Sequence, residues 1–145
     1  PVIGWTIATG SITIEPIILF LIIFIWTPSH FWALSLYKSG DYKKAKIPML
    51  PVIAGTKTTK TNILVYSFAM LPIVVAPYYF SFASLLYLTP ALITTLYYNY
   101  LCLELFNAKV TKNSNKIARK VFIYSIFYLF FLYLILLIDN ARSLF

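Results

Sequence analysis

A single carboxylate set among lysines is the first arrangement in this sequence with chemical potential. It lies in Lys38-Ser39-Gly40-Asp41-Tyr42-Lys43-Lys44-Ala45-Lys46-Ile47-Pro48-Met49-Leu50-Pro51-Val52, and from Lys38 to Lys60 Asp41 is the only acid against six lysines. Mg²⁺ typically takes one or two protein carboxylates and completes its shell with waters and substrate phosphates, so Asp41 could supply one ligand. The surrounding lysines would neutralise a diphosphate as point charges. The same composition equally suits a solvated basic loop against anionic lipid, with Asp41 as an incidental counter-ion. Residue types alone leave both readings open.

The second arrangement is Trp26-Thr27-Pro28-Ser29-His30-Phe31-Trp32, which holds the only histidine of the chain. An ionisable residue within an apolar stretch is costly and is by default a functional candidate. On a helix His30 shares a face with Trp26, Ala33 and Tyr37, and Pro28 removes one backbone hydrogen bond, which predicts a bend. A polar pocket reached from the basic end is one reading; a neutral histidine bonded to a neighbouring helix is the other. Asn99, Cys102 and Ser125 read more simply as polar contacts between helices. Cys102 is the single cysteine, which excludes an internal disulfide and any cysteine cluster for a metal.

These residues need elements to position them, and the composition says of what kind. Of 145 residues, 61% are hydrophobic, 19% aromatic and only 11% charged, with a mean hydropathy of +0.82. Soluble domains carry about 25% charged residues, so the chain reads as an all-α integral membrane protein, a single domain built as a transmembrane helix bundle. About 20 apolar residues cross the hydrocarbon as a helix. Four spans satisfy that length: Pro16 to Tyr37, Asn62 to Phe80, Leu85 to Leu103 and Val121 to Ile138. Between them lie two basic loops, Lys38 to Lys60 and Glu104 to Lys120, and a turn near Pro77 to Ser84. Tyr78, Tyr79, Tyr97, Tyr98 and Tyr100 suit either interfacial anchoring or ordinary helix packing.

Four spans put both basic loops on one face, and with them every base except Arg142 out of twelve Lys and Arg. The net charge of +8 is therefore read as topology, a positive-inside signal for a cytoplasmic or matrix face, and not as nucleic-acid binding. Residues Pro1 to Ile14 read as the tail of an earlier helix and a short loop. The sequence opens inside an apolar stretch with no charged leader or cleavage site, which reads as a piece of a longer chain.

Taken together, Pro1-Val2-Ile3-Gly4-Trp5, Trp26 to Leu34, the run Asp41 to Val52 and Ala118-Arg119-Lys120-Val121-Phe122 resemble the haem-farnesylating branch of the UbiA superfamily of intramembrane prenyltransferases. The likeness covers nearly the whole chain in order, and the Asp-Tyr stretch ending in Ile-Pro-Met-Leu-Pro-Val is specific to that branch. The resemblance implies a UbiA-type fragment, the C-terminal half of a nine-helix bundle. In such a bundle two aspartate-bearing loops meet near the cytoplasmic side, bind Mg²⁺ and orient an isoprenoid diphosphate. Only the second loop, at Asp41, is present here. Many superfamily members have a further acid four positions later, where this chain has Ala45; haem-directed members share that departure.

The activity implied is transfer of a farnesyl group from farnesyl diphosphate to a vinyl carbon of haem b, giving haem O. Asp41 then becomes the metal-side residue. Lys43, Lys44, Lys46, Arg119 and Lys120 become diphosphate candidates, with Tyr42 beside Asp41 on the substrate side. His30 becomes the residue that contacts haem, with Trp26 alongside it. Haem A synthase or terminal oxidase assembly proteins are the implied partners, in a bacterial inner or mitochondrial inner membrane, and the piece alone is expected to be inactive. Two other readings compete. One keeps the fold and takes a quinone precursor as acceptor; the other is a non-catalytic transport subunit in which His30 and Asn99 line a pathway.

Overall fold

A computed structural model describes residues 1–109 and 112–142, without the side chains of Lys112 and Asn113. Seven helices follow one another: α1 (Val2–Thr9), α2 (Ile14–Tyr37), α3 (Ser39–Lys44), α4 (Leu50–Ile53), α5 (Gly55–Tyr79), α6 (Leu85–Asn107) and α7 (Lys112–Arg142). No strand occurs among the described residues. Helix is what the bilayer demands of a spanning chain, because each backbone N–H and C=O must be satisfied within the segment.

Each of the four apolar stretches lies on one long helix, save Phe80, which caps α5, and each helix runs past the stretch that announced it at one end or both. α5 starts at Gly55, which takes a left-handed φ of 83°, so Lys57 and Lys60 stand on the helix and not in a loop. Lys60 is 4% exposed, and its ammonium donates to the Ala108 carbonyl at 2.7 Å, closing the C-terminal end of α6. α7 has 31 residues, about 46 Å at 1.5 Å per residue, well beyond the roughly 30 Å of hydrocarbon. Its first turns carry Lys116, Arg119 and Lys120 outside the apolar part. What reads as a seventeen-residue basic loop from Glu104 to Lys120 is therefore mostly helix; Val110 and Thr111, in the short remainder, lie outside the described residues, as does the side chain of Lys112.

Among the described residues three helices are long and apolar enough to cross a membrane by length and composition: Ile14–Tyr37, Gly55–Tyr79 and Ser114–Arg142. α6 is 23 residues long but is diluted by Thr89, Thr94, Thr95 and Asn99, so its place among the spans rests on packing. That packing is a closed ring. α2 lies against α5 and α7, and α6 lies against α5 and α7. α2 and α6 face each other across the ring and meet through side chains, Ser29 Oγ to Tyr98 Oη at 2.9 Å. The chain passes through Pro28 without leaving the helix.

Ile22, Ala33, Ile63, Met70, Val74, Leu101, Val121 and Leu132 fill the interior. In lipid, where burial of apolar surface drives little association, close packing and interhelical hydrogen bonds carry the contact. Tyrosines supply both. Tyr98 and Tyr128 stack at 5.1 Å between centroids, Tyr128 Oη meets Thr95 Oγ1 at 2.8 Å, and Tyr133 donates to the Leu19 carbonyl at 2.6 Å. Tyr98 is thus a core residue, whereas Tyr97 and Tyr100 stay exposed. Asn99 departs from expectation. It is buried at 5% exposure, yet neither amide atom has a hydrogen-bond partner among the described residues.

At the end away from the lysines, the turn between α5 and α6 is tied to the end of α7. The Asp139 carboxylate accepts from the Ser84 backbone N–H and from the Ser84 hydroxyl, while Ser84 Oγ also caps α6 by accepting from Leu86 N–H at 3.1 Å. The ring connectivity makes a topological prediction. Cysteines at Lys44 and Lys116 should react with a membrane-impermeant maleimide from one side, and a cysteine at Ser81 from the other. Reaction of the two basic positions from opposite sides would refute the arrangement.

Candidate active site

The candidate site lies at the basic end, where α2 hands over to α3. Asp41 sits on α3, a six-residue helix, and not on an open loop. α3 stops because Lys46 adopts a left-handed φ of 54°. Ile47 N–H then returns to the Tyr42 carbonyl at 3.0 Å and Lys46 N–H to the Lys43 carbonyl at 3.2 Å, a paired closure of the kind that ends helices. Pro48 follows and cannot continue the helix. Pro51 is buried and seats α4, which packs on α2, α3 and α5, so the Ile-Pro-Met-Leu-Pro-Val run straps the Asp41 helix to the bundle through α4.

Lys38 pairs with Asp41, and through the Tyr37 ring it is linked to Arg119 of α7. The Lys38 ammonium lies 3.3 Å from the Asp41 carboxylate, whose side chain is 70% exposed. Lys38 also stands 5.3 Å over the Tyr37 ring, and the Arg119 guanidinium lies 5.8 Å from the same ring. Tyr37 thereby links α7 to the unit that carries Asp41, through cation–π attraction. Lys43, Lys44 and Lys46 are exposed on or just after α3, and Tyr42 is half-buried. Lys120 is not brought to this cluster. It faces α6, with its ammonium 3.9 Å from the Glu104 carboxylate. Tyr37 and Lys38 were not picked out as site residues by sequence; the Arg119 contact to Tyr37 depends on how α7 crosses α2.

The face of α7 that presents Arg119 also reaches His30 one and two turns further on. Phe122 stacks on the His30 ring at 4.8 Å between centroids, and Trp26 covers it on α2 at 4.3 Å. Ser125 Oγ meets His30 Nδ1 at 2.7 Å, and Trp26 Nε1 donates to the Ser125 carbonyl at 2.9 Å. The histidine is 9% exposed. Ser125 is the interhelical contact that the sequence suggests, and its partner turns out to be the chain's one histidine. Among the described residues the bond to Nδ1 leaves Nε2 as the nitrogen without a side-chain partner.

No group of three or more His, Cys, Asp or Glu able to hold a metal occurs among the described residues. Asp41 offers one exposed carboxylate. That suits a hydrated hard cation that takes its remaining ligands from phosphate, and does not suit a closed protein cage.

The family model described as the UbiA prenyltransferase family matches residues 1–135. The chain belongs to this family. It is similar to protoheme IX farnesyltransferase of Pelagibacter ubique (strain HTCC1062), with 63% identity over 140 residues, 97% of this chain and 46% of that protein. It is also similar to the protein of the same name from Parvibaculum lavamentivorans, at 43% identity over 144 residues, 99% of this chain and 45% of that one. A third relative of that name, from Rickettsia bellii, is 44% identical over 136 residues, 94% of this chain and 44% of its own length. The chain spans a little under half the length of the curated relatives it matches. No solved structure matches it. UbiA membership accounts for the apolar ring and places the chain among multi-pass membrane proteins.

Proposed function

We propose that this UbiA chain supplies the C-terminal half of an enzyme that transfers a farnesyl group from farnesyl diphosphate to the vinyl group of haem b, yielding haem O for terminal oxidase biogenesis. The observation that carries the reading is the Asp41 helix, strapped in place and joined through Tyr37 to Arg119, in a chain 63% identical to a protoheme IX farnesyltransferase. Chemically, the C1–O bond of the donor breaks, diphosphate leaves with the electron pair, and an allylic cation attacks the vinyl carbon. Water then adds to the resulting cation and loses a proton, which leaves the hydroxyethylfarnesyl group.

The largest electrostatic demand falls on the departing diphosphate, where preorganised positive charge contributes most. In this proposal Lys43, Lys44, Lys46 and Arg119 hold the diphosphate, Tyr42 lies beside it, and Asp41 holds Mg²⁺, which when bound neutralises the leaving group. His30 and Trp26 contact the haem. Lys120, turned to Glu104, is released from the diphosphate role. The site would open on the cytoplasmic face of a bacterial inner membrane, with haem A synthase or oxidase assembly proteins receiving the product.

Because the chain supplies one of the two expected aspartate-bearing segments and spans under half of its relatives, expression of these 145 residues alone should give no haem O. Co-expression with the N-terminal half of a relative should restore haem O, measured by extraction and chromatography of the haem pool. Turnover by the 145 residues alone, or failure of every such pairing to produce haem O, would overturn the reading.

A further inference from the structure

Two grooves on the outer face, the first on α7 alone and the second between α7 and Thr94 of α6, adjoin at Tyr124 and Phe127 as one trough. The first, about 440 Å³, is lined by Lys116, Arg119, Lys120, Ile123, Tyr124 and Phe127. The second, about 260 Å³, continues from Thr94, Tyr124 and Phe127 to Phe131 and Leu134. Three cations thus stand at one end of a trough whose remainder is aromatic and aliphatic. The acid Glu104 pairs with Lys120, and Lys116 makes no ion pair among the described residues, so positive charge is left over at the mouth. We propose that this trough is a specific site for an anionic glycerophospholipid of the cytoplasmic leaflet, with its phosphate at Lys116 and Lys120 beside Arg119 and one acyl chain along Tyr124, Phe127 and Leu134.

Dimensions and chemistry agree on that occupant. Lys120 to Leu134 spans about 21 Å of helix at 1.5 Å per residue, enough for a headgroup and a chain crossing roughly 15 Å, half the hydrocarbon thickness. Clusters of Lys and Arg at the cytoplasmic end of a transmembrane helix attract anionic headgroups, and here all three cations stand on α7. The trough floor is also built to be stable without a ligand. Tyr124 Oη donates to the Thr94 carbonyl at 3.0 Å, and Tyr124 packs edge-on against Tyr97 at 5.0 Å, so the aromatic surface is fixed before anything binds. A bound lipid would brace α6 against α7 next to the Arg119 contact. The inference does not depend on the proposed reaction.

The test uses the protein completed by its N-terminal half, in nanodiscs of phosphatidylcholine containing a trace of phosphatidylglycerol with a diazirine on its acyl chain. Photolysis followed by peptide mapping should place the label on α7 between Phe127 and Leu134. Unlabelled phosphatidylglycerol should displace it, whereas added phosphatidylcholine and farnesyl diphosphate should not. The double variant Lys116→Gln, Lys120→Gln should reduce labelling by about tenfold, with the far-ultraviolet helix signal and elution volume unchanged. Ile93→Gln, on the exposed side of α6 and outside the trough, controls for surface change and should label as the parent does. Label spread evenly over α2, α5 and α7, or equal competition by phosphatidylcholine, would overturn the site. Displacement by farnesyl diphosphate would assign the trough to the isoprenoid and overturn the lipid assignment.

Discussion

Replacing Asp41 by Asn, in the enzyme completed by its N-terminal half, is expected to lower haem O turnover by about 10²-fold or more, the scale seen when one preorganised stabiliser of developing charge is lost. The substitution keeps the shape of the side chain and removes the charge. It also leaves α3 intact, because that helix is closed by backbone bonds at Tyr42, Lys43, Lys46 and Ile47 and not by the carboxylate. The loss should therefore appear in the chemical step. Single-turnover kinetics should show slow farnesyl transfer with haem binding nearly unchanged, since an interaction made chiefly in the transition state lowers kcat more than it raises KM. Lys38 sharpens the test. Its ammonium is 3.3 Å from Asp41 at an exposed position where an ion pair contributes little to stability, so unfolding cannot account for a large loss. Wild-type single-turnover rates in the Asn variant would return Asp41 to the role of a counter-ion in a basic loop.

The same cluster shows what a sequence can and cannot disclose here. The four apolar stretches were legible because lipid enforces a length and a near absence of charge, and those constraints are written residue by residue. Helix ends were not, because the bilayer imposes no such rule on the parts outside it. Lys57 and Lys60 looked like loop residues by charge, yet a lysine stem can lie along the bundle while its ammonium finds a carbonyl, as Lys60 does at Ala108. Lys116, Arg119 and Lys120 likewise ride on a helix that outruns the membrane. Asp41 was legible as a chemical group among lysines but not as a helical one, since α3 owes its existence to a left-handed stop at Lys46 that no side chain advertises. The sorting of Arg119 from Lys120 was out of reach as well. Adjacent residues on a helix point about 100° apart, and only the crossing of α7 over α2 decides that the first meets Tyr37 and the second meets Glu104.

His30 calls for a variant that separates its chemistry from its packing, because the ring is held on both faces by Trp26 and Phe122. His30→Phe preserves an aromatic ring in that sandwich and removes both nitrogens. In the completed enzyme this variant should keep its helix content and elution profile but bind haem at least about tenfold more weakly, with an altered Soret band, if His30 contacts the iron or a propionate. Ser125→Ala tests the same assignment from the other helix. It deletes the hydroxyl 2.7 Å from Nδ1 yet leaves the Ser125 carbonyl that Trp26 bonds, so α2 and α7 stay joined. Removing such an orienting partner weakens a ligating imidazole about 10- to 100-fold, and that is the expected loss of haem affinity. Farnesyl diphosphate binding should persist in both variants, since His30 lies seven residues, about 10 Å, back along α2 from Tyr37, and Asp41 lies beyond that end on α3. A His30→Phe enzyme that binds haem with unchanged affinity and spectrum would leave the histidine only its bond to Ser125, a contact that joins two helices and nothing more.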